Sequence, residues 1–294
     1  MNQNVELFMA HLMRFLPIKM VSQIGAHLGR KEILSEFKKN EPWIDDFYHT
    51  IESLTGIGDP NEKKKLLIEF GDQVGRVYAE AVILQKIDKK GLIDVEGLEN
   101  IENLTQPVIF VAPHLSNWEI LAKVCTLFNN PTCILYEPRE SNERMAIANK
   151  SRLAWGENIK LLSSDEPMVM KKILSMLKNN FNLFILSDEE KGGYVYAPSL
   201  GRNIPYAGNR WLASRLAVKY SLDVIPLYVE RVKATNFVIH IEKKISPQTH
   251  INTVLRAKKI ADKIDELFEL WVRKRPEHWY WMPHLDLNKT IHKQ

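Results

Sequence analysis

The stretch VIFVAPHLSNWEILAKVCTLF, residues 108–128, decides the fold that we predict for this chain. It opens with the apolar run 108–111, which is rich in β-branched residues and lies between Pro107 and Pro113, as expected of a buried strand. A turn that carries His114 follows. Apolar residues at helical spacing then predict a helix over 117–128, with Glu119 in its first turn. A strand end that opens into a helix is where α/β proteins place their chemistry.

His114 and Glu119 allow two interpretations. On one continuous helix their side chains would point about 140° apart, so they meet only if His114 lies in the turn and folds back. A carboxylate that holds an imidazole fixes its tautomer and makes it a better base, which predicts a catalytic pair. Alternatively, Glu119 is only the partner of Ser116 in a helix capping box, and His114 is only a turn residue.

Composition sets the broad class. The chain has 294 residues, 45% of them hydrophobic, which suffices for one large α/β domain or two small ones. The net charge of +4 points to no particular partner, and we expect no nucleic acid. Cys125 and Cys133 fit neither a disulfide framework nor a zinc site, which favours a reducing cytosolic environment. No apolar stretch is long enough for an ordinary membrane-spanning helix.

The N-terminal segment is predicted to lie in the membrane interface. Residues 5–29 are strongly apolar and carry intermittent positive charge from Arg14 and Lys19. Such a helix can rest on a bilayer with its cationic side chains on lipid phosphates. The alternative is a helix packed on the protein's own core. We therefore predict an anchor helix at 1–31 and an α/β domain at 32–294, of which the first part, 32–90, is helical.

Beyond residue 90, short apolar runs alternate with helical patterns, which predicts an α/β fold with a mostly parallel central sheet flanked by helices. Three strand ends carry polar residues that could converge: His114 with Glu119, the turn 136–139, and Asp188. Arginine suits bidentate phosphate contacts and lysine serves as a point charge. The positive candidates near these ends are Arg139, Arg152, Lys191, Arg202 and Arg210. For any single one, a surface salt bridge is the alternative.

Other catalytic signatures are missing from the sequence, which has no glycine-rich phosphate loop, no H-E-x-x-H and no G-x-S-x-G elbow. His278 and His284 lie among three aromatic residues at 279–281. We interpret that cluster as packing or as a membrane-interface belt rather than as catalytic.

These blocks resemble the late acyltransferases of lipid A biosynthesis (lauroyl and myristoyl acyltransferases), which belong to the lysophospholipid acyltransferase superfamily. The H-x-x-x-x-E of His114 to Glu119 follows an apolar strand that ends in Ala-Pro, as in that family. Further along, four segments are similar to its Tyr-Arg-Pro, Leu-Pro-Asp-Gln, Phe-Phe-Gly and Pro-Glu-Gln-Trp-x-Trp blocks, namely 136–139, 186–190, 199–201 and 275–281. With the apolar N-terminal segment, the likeness covers nearly the whole chain.

Three positions depart from the family pattern. Glu137 replaces a basic residue, Ser187-Asp188-Glu189 replaces Pro-Asp-Gln, and Leu285 stands where the family often has arginine. These departures bear on the acceptor and the acyl chain more than on the type of reaction.

The resemblance implies a membrane-associated acyltransferase that moves a fatty acyl chain from the thioester of acyl carrier protein to a hydroxyl of a lipid A precursor. It would act at the cytoplasmic side of the inner membrane, with no metal and no tightly bound cofactor. A local basic face would assist docking of the acidic carrier protein.

The resemblance also implies roles for the candidate residues. His114 would be the general base, and Glu119 would orient it and stabilise its charge. Arg152 or a backbone N–H at the helix start would stabilise the oxyanion. The acceptor's phosphates would be bound by Arg139, Lys191 and Arg202. Asp188 is carried over as a site residue without an assigned role.

Two alternatives stay open. An enzyme of the same superfamily could acylate another lipid, such as a lysophospholipid, an ornithine lipid or a glycolipid. A non-catalytic, membrane-associated binding module could instead carry Glu119 only as a cap. Under the second alternative Glu119→Gln would be nearly silent, because glutamine keeps the capping box. Under catalysis the same substitution would be severe.

Overall fold

The computed structural model describes residues 11–138, 142–249 and 252–287. In the described part of the chain, the helices α1 (Ile18–Lys39), α2 (Trp43–Thr55), α3 (Pro60–Glu80) and α4 (Leu84–Lys89) precede the sheet. Asp59 caps α3 by accepting the backbone N–H of Glu62, and Pro60 occupies the first turn, where its missing N–H costs nothing. The helical character predicted for residues 32–90 is therefore confirmed.

Helices α1 and α3 cross with their backbones in direct contact. Each carries two glycines four residues apart, Gly25 with Gly29 and Gly71 with Gly75. A Cβ atom added at Gly75 would overlap the carbonyl oxygen of Gly25. Small residues at this spacing let two helix backbones approach closely, so the crossing depends on the absence of side chains there.

The N-terminal apolar segment is interrupted at Pro17, after which α1 begins. One face of α1 is buried against the protein, which agrees with the alternative of a helix packed on the core. Outside that face, Phe15 is 73% and Met20 48% exposed. The predicted boundary at residue 31 falls inside the continuous α1, and the anchor role stays a prediction. Among the described residues, none of the helices has the length and apolar character needed to cross a bilayer.

The described residues form a seven-stranded sheet in the order β1-β9-β8-β2-β5-β3-β4. Its strands are β1 (Ile93–Glu96), β2 (Val108–Ala112), β3 (Thr132–Tyr136), β4 (Ile159–Ser163), β5 (Asn182–Leu186), β8 (Asp223–Lys233) and β9 (Asn236–Ile241). Neighbouring strands are parallel except for β8 and β9. Two short strands, β6 (Glu190–Lys191) and β7 (Tyr194–Val195), form a separate ribbon.

Helices cover both faces of the sheet, and β2 lies at its centre. Every residue of β2 is buried, with Ile109 and Val111 in one core and Val108, Phe110 and Ala112 in the other. The later helices are α5 (Asn142–Leu153), α6 (Val169–Lys178), α7 (Gly208–Tyr220) and α8 (Thr253–Lys274). Parallel strands buried on both faces read as continuous apolar runs, which is how they stood out in the sequence. The predicted fold class is confirmed.

The predicted capping box is wrong. The helix after the turn is a 3₁₀ helix, Trp118–Leu127, and its N-cap residue Asn117 makes no side-chain cap hydrogen bond. Ser116 adopts a left-handed backbone with φ 55°, and its buried hydroxyl has no hydrogen-bond partner among the described residues. The Glu119 carboxylate is bonded to Arg152 instead of to the helix start.

Candidate active site

The carboxyl ends of three neighbouring strands bring the predicted polar residues to one edge of the sheet. Strands β2, β5 and β3 are adjacent and parallel, so the segments that follow them emerge on the same side. His114 follows β2 in the turn 113–117, which we call the site turn. Asp188 follows β5, and Tyr136 ends β3. Residues 74 positions apart in the sequence therefore meet here.

Asp188 is wholly buried and holds the ring of His114. Its Oδ1 lies 2.6 Å from Nδ1 of the ring. Its Oδ2 accepts the backbone N–H of His114 at 2.7 Å and the indole N–H of Trp279 at 2.8 Å. With the Nδ1 proton donated to the carboxylate, Nε2 is left as the basic nitrogen. The His114 side chain is 17% exposed, so the ring can be reached from outside.

Trp281 makes a second approach to the same nitrogen, with its Nε1 3.2 Å from Nδ1 of His114. An indole nitrogen can only donate, and Nδ1 cannot both donate to Asp188 and accept from Trp281. The contact with Asp188 is shorter and has a carboxylate acceptor, so it decides the tautomer. The Trp281 contact is then packing rather than a hydrogen bond.

Aromatic side chains surround the ring of His114. The rings of Trp118, Tyr280 and Trp281 lie with centroids 5.1, 6.1 and 5.3 Å from it. The C-terminal segment is tied to the site turn by backbone hydrogen bonds, because Tyr280 N–H donates to the His114 carbonyl and Ser116 N–H to the His278 carbonyl. The aromatic cluster interpreted as packing or a membrane belt thus forms a wall of the candidate site. In the sequence, only the resemblance of block 275–281 to the acyltransferase family indicated that these aromatic residues belong to the site.

Glu119 and Arg152 form a second buried pair. The guanidinium donates from Nε and from one terminal nitrogen to the two carboxylate oxygens at 2.8 and 2.6 Å. It also lies 5.6 Å from the ring centre of Tyr136, within cation–π range. Burial acts to lower the pKa of Arg152, but the charge and hydrogen bonds of Glu119 raise it above its usual value overall. A permanent cation is therefore fixed beside the site turn.

The two predicted catalytic residues have different partners from those that the sequence suggested. We predicted that Glu119 orients His114, whereas the carboxylate hydrogen-bonded to Nδ1 is Asp188. The physical reason is that Glu119 meets both donors of Arg152 from α5, while Asp188 emerges from the strand next to β2. Asp188, a predicted site residue without an assigned role, takes the orienting position.

The other candidate cations are placed differently. Arg139 lies outside the described residues. Lys191 is exposed in β6. Arg202 donates to the carbonyls of Pro198 and Ser199 at 2.8 and 3.0 Å, and burial lowers its pKa to about 10. Its guanidinium thus stabilises the turn 198–202 through these two hydrogen bonds. Arg210, also a candidate, forms an ion pair with Asp265.

Sequence reasoning gave no role to Glu189, the neighbour of Asp188. It is buried, and its Oε1 accepts the backbone N–H of Asn209 at the start of α7. Burial raises the pKa of Glu189 to about 7, and the charges of Asp188 and Glu137 add to the effect. Within the described ranges, no three His, Cys, Asp or Glu side chains group as metal ligands would.

Of the comparisons with known proteins, the match to a family model bears on the class of the chain. The sequence model of the family described as bacterial lipid A biosynthesis acyltransferase matches residues 5–285. No curated protein sequence matches significantly. Among solved structures, the crystal structure of the 1-acyl-sn-glycerophosphate (LPA) acyltransferase PlsC from Thermotoga maritima covers 80% of this chain and 97% of its own. Its identity is 16% and its TM-score 0.38, too low to bear on what this chain acts on.

Proposed function

Because the chain belongs to the bacterial lipid A biosynthesis acyltransferase family, we propose that it transfers a fatty acyl chain from acyl carrier protein to a hydroxyl group of a lipid A precursor. Membership of the family makes the chain an acyltransferase. The donor and the acceptor are proposed from the resemblance of the sequence blocks. The observation that carries the proposed chemistry is the accessible His114 ring held at Nδ1 by the buried Asp188.

His114 is proposed to be the general base. Its Nε2 takes the proton of the acceptor hydroxyl as that oxygen attacks the thioester carbonyl carbon. The tetrahedral intermediate then expels the thiolate as the carbon–sulfur bond breaks, and the imidazolium returns the proton to sulfur. Asp188 keeps Nδ1 protonated and stabilises the imidazolium charge. General base catalysis of this kind contributes about 10²–10⁴-fold to the rate.

Arg152 is proposed to stabilise the oxyanion of that intermediate. It carries a positive charge next to the site turn, in a setting where little water weakens its field. Glu119 is then a positioning residue that acts through Arg152, because it keeps the guanidinium charged and oriented. Glu119→Gln should be severe in this account. Arg139 and Lys191 are proposed to bind acceptor phosphates, and Arg202 can do so only after leaving the carbonyls of its own turn.

The membrane location is also part of the proposal. Phe15 and Met20 expose apolar side chains next to Arg14 and Lys19, a combination suited to lipid headgroups and acyl chains. We place the protein at the cytoplasmic side of the inner membrane, where the carrier protein is available. Flotation with anionic vesicles should recover the chain. A Phe15→Ser, Met20→Ser variant that floats equally well would contradict this location.

The decisive experiment follows the product. The purified protein is incubated with acyl carrier protein thioester and one acceptor at a time: lipid A precursor, lysophospholipid, ornithine lipid or glycolipid. Mass spectrometry should show one added acyl chain on the lipid A precursor, and none with His114→Ala. A product only from another lipid would move the function to that acceptor, an alternative favoured by Glu137 at a usually basic position. Full transfer by His114→Ala would end the proposed mechanism.

A further inference from the structure

A buried polar cluster behind the site turn takes no part in the proposed chemistry. At its centre is Glu80, the last residue of α3, which is wholly buried. Its Oε1 accepts from the Ser22 hydroxyl at 2.6 Å and from Arg231 at 2.8 Å. Its Oε2 accepts from Arg231 at 2.8 Å and from the side-chain amide of Asn117 at 2.8 Å.

Arg231 comes from β8 and is held by further contacts. Its guanidinium donates to Gln73 and to the carbonyl of Ala234, both at 2.7 Å, and lies 4.5 Å from the ring centre of Phe237. The attraction within a buried ion pair offsets the free-energy cost of desolvation only when the geometry is good and the remaining donors are satisfied. Those conditions are met here, so the Glu80 carboxylate is held in one position.

Asn117 connects the Glu80 carboxylate to the site turn. It stands between His114 and Glu119 in the sequence, and its side chain points to Glu80 instead of capping the helix that it precedes. Ser116, just before it, has a left-handed backbone that is unfavourable for a residue with a side chain. The C-terminal segment holds the other side of the turn, through the carbonyl of His278. Hydrogen bonds to Glu80 and to His278 thus hold the turn on both sides.

We propose that Glu80 and Arg231 are positioning residues for acyl transfer and act through Asn117 on the site turn. The inference rests on the proposed function of that site. Acyl transfer requires the reacting atoms in a narrow geometry, and a displacement of about 1 Å can cost about a hundredfold in rate. The competing view is that the ion pair serves only the stability of the fold.

The matched substitutions Asn117→Ala and Asn182→Ala separate these views. Asn182 is also a buried asparagine, and its Oδ1 accepts the N–H of Val108 at 3.0 Å, at the opposite end of β2 from the site. We expect both variants to melt at lower temperature. Assayed well below both melting points, Asn117→Ala should lose about ten- to a hundredfold in kcat with little change in KM, and Asn182→Ala should keep the kcat of the wild type. Equal kcat values for both variants, or a loss confined to KM, would overturn the proposal.

A double substitution provides a second test that does not depend on those variants folding well. Glu80→Met combined with Arg231→Met removes both charges, a change that often restores stability at buried ion pairs. It also removes the acceptor of the Asn117 amide, so kcat should stay low even where the melting temperature recovers. A double variant with wild-type kcat would refute the positioning role. An inactive wild type would instead refute the proposed function itself.

Discussion

Replacing Asp188 with asparagine tests the assignment of the site most directly. The carboxylate accepts the backbone N–H of His114 and the Trp279 indole N–H on Oδ2, and the ring N–H of His114 on Oδ1. An asparagine side chain has one acceptor oxygen and one donor group. Because two fixed donors converge on the Oδ2 position, we expect the amide oxygen to occupy it. The amide nitrogen then faces Nδ1 of His114.

That arrangement forces the wrong tautomer on His114. With a donor facing Nδ1, the ring carries its proton on Nε2 and can no longer accept one from the hydroxyl substrate. The equivalent substitution in a serine protease triad lowers kcat by about 10⁴-fold with the geometry intact. For Asp188→Asn we expect a loss of about 10³–10⁴-fold in kcat, or about 4–5.5 kcal/mol of transition-state stabilisation. KM should change little, because Asp188 is buried behind the ring.

Initial rates of acyl transfer from the carrier protein thioester measure the effect. Glu189→Gln is the matched control, because Glu189 is the next residue, is also buried, and bonds to Asn209 rather than to His114. We expect that variant to keep kcat within about threefold, since the substitution leaves the His114–Asp188 contact in place. If Asp188→Asn kept its kcat within tenfold of the wild type, the orienting role of Asp188 would be wrong.

The remaining predictions concern stability. Burial raises the pKa of Glu189 from 4.5 to about 7, so between these pH values the folded state binds one more proton than the unfolded state. The free energy of unfolding therefore falls as the pH rises from 4.5 to about 7. Glu189→Gln should remove this pH dependence when the free energy of unfolding is measured by urea titration. Burial and nearby arginines lower the pKa of His278 from 6.5 to about 3, so stability falls as pH drops from 6.5 towards 3, and His278→Gln should flatten that limb. Gly75→Ala, which overlaps the Gly25 carbonyl, should cost about 1–3 kcal/mol by thermal unfolding. Gly58→Ala, which meets only ordinary contacts, should cost much less.

The fold could be predicted because its signals are local. The central strand was expected at the apolar run 108–111 and is β2, and the helical part expected at 32–90 contains α2 and α3. Strands buried on both faces and amphipathic helices each leave a pattern within about ten residues of sequence. The crossing of α1 and α3 also left such a pattern, the glycines four residues apart. Glycines at this spacing indicate that α1 packs closely on another helix of the protein.

The partners in the candidate site could not be predicted in the same way. Asp188 lies 74 residues after His114, and Trp279 lies 91 residues after Asp188. These residues meet because β5 is the neighbour of β2 and because the C-terminal segment returns to the site turn. Strand order in a sheet has no local signature in one sequence. The spacing of charged residues therefore suggested a partner for His114 within the same motif, and the structure has a partner from another strand.

The H-x-x-x-x-E spacing has a different meaning once both partners are known. The site turn directs His114 to the end of β5 and Glu119 to Arg152 of α5. Each motif residue thus bonds a group of opposite character from a different element, an acid for the base and a cation for the acid. In the proposed reaction the first pair moves the proton and the second stabilises the oxyanion, on two sides of one turn. Because Arg152 holds both carboxylate oxygens of Glu119, we infer that Glu119 cannot replace Asp188 when Asp188 is lost.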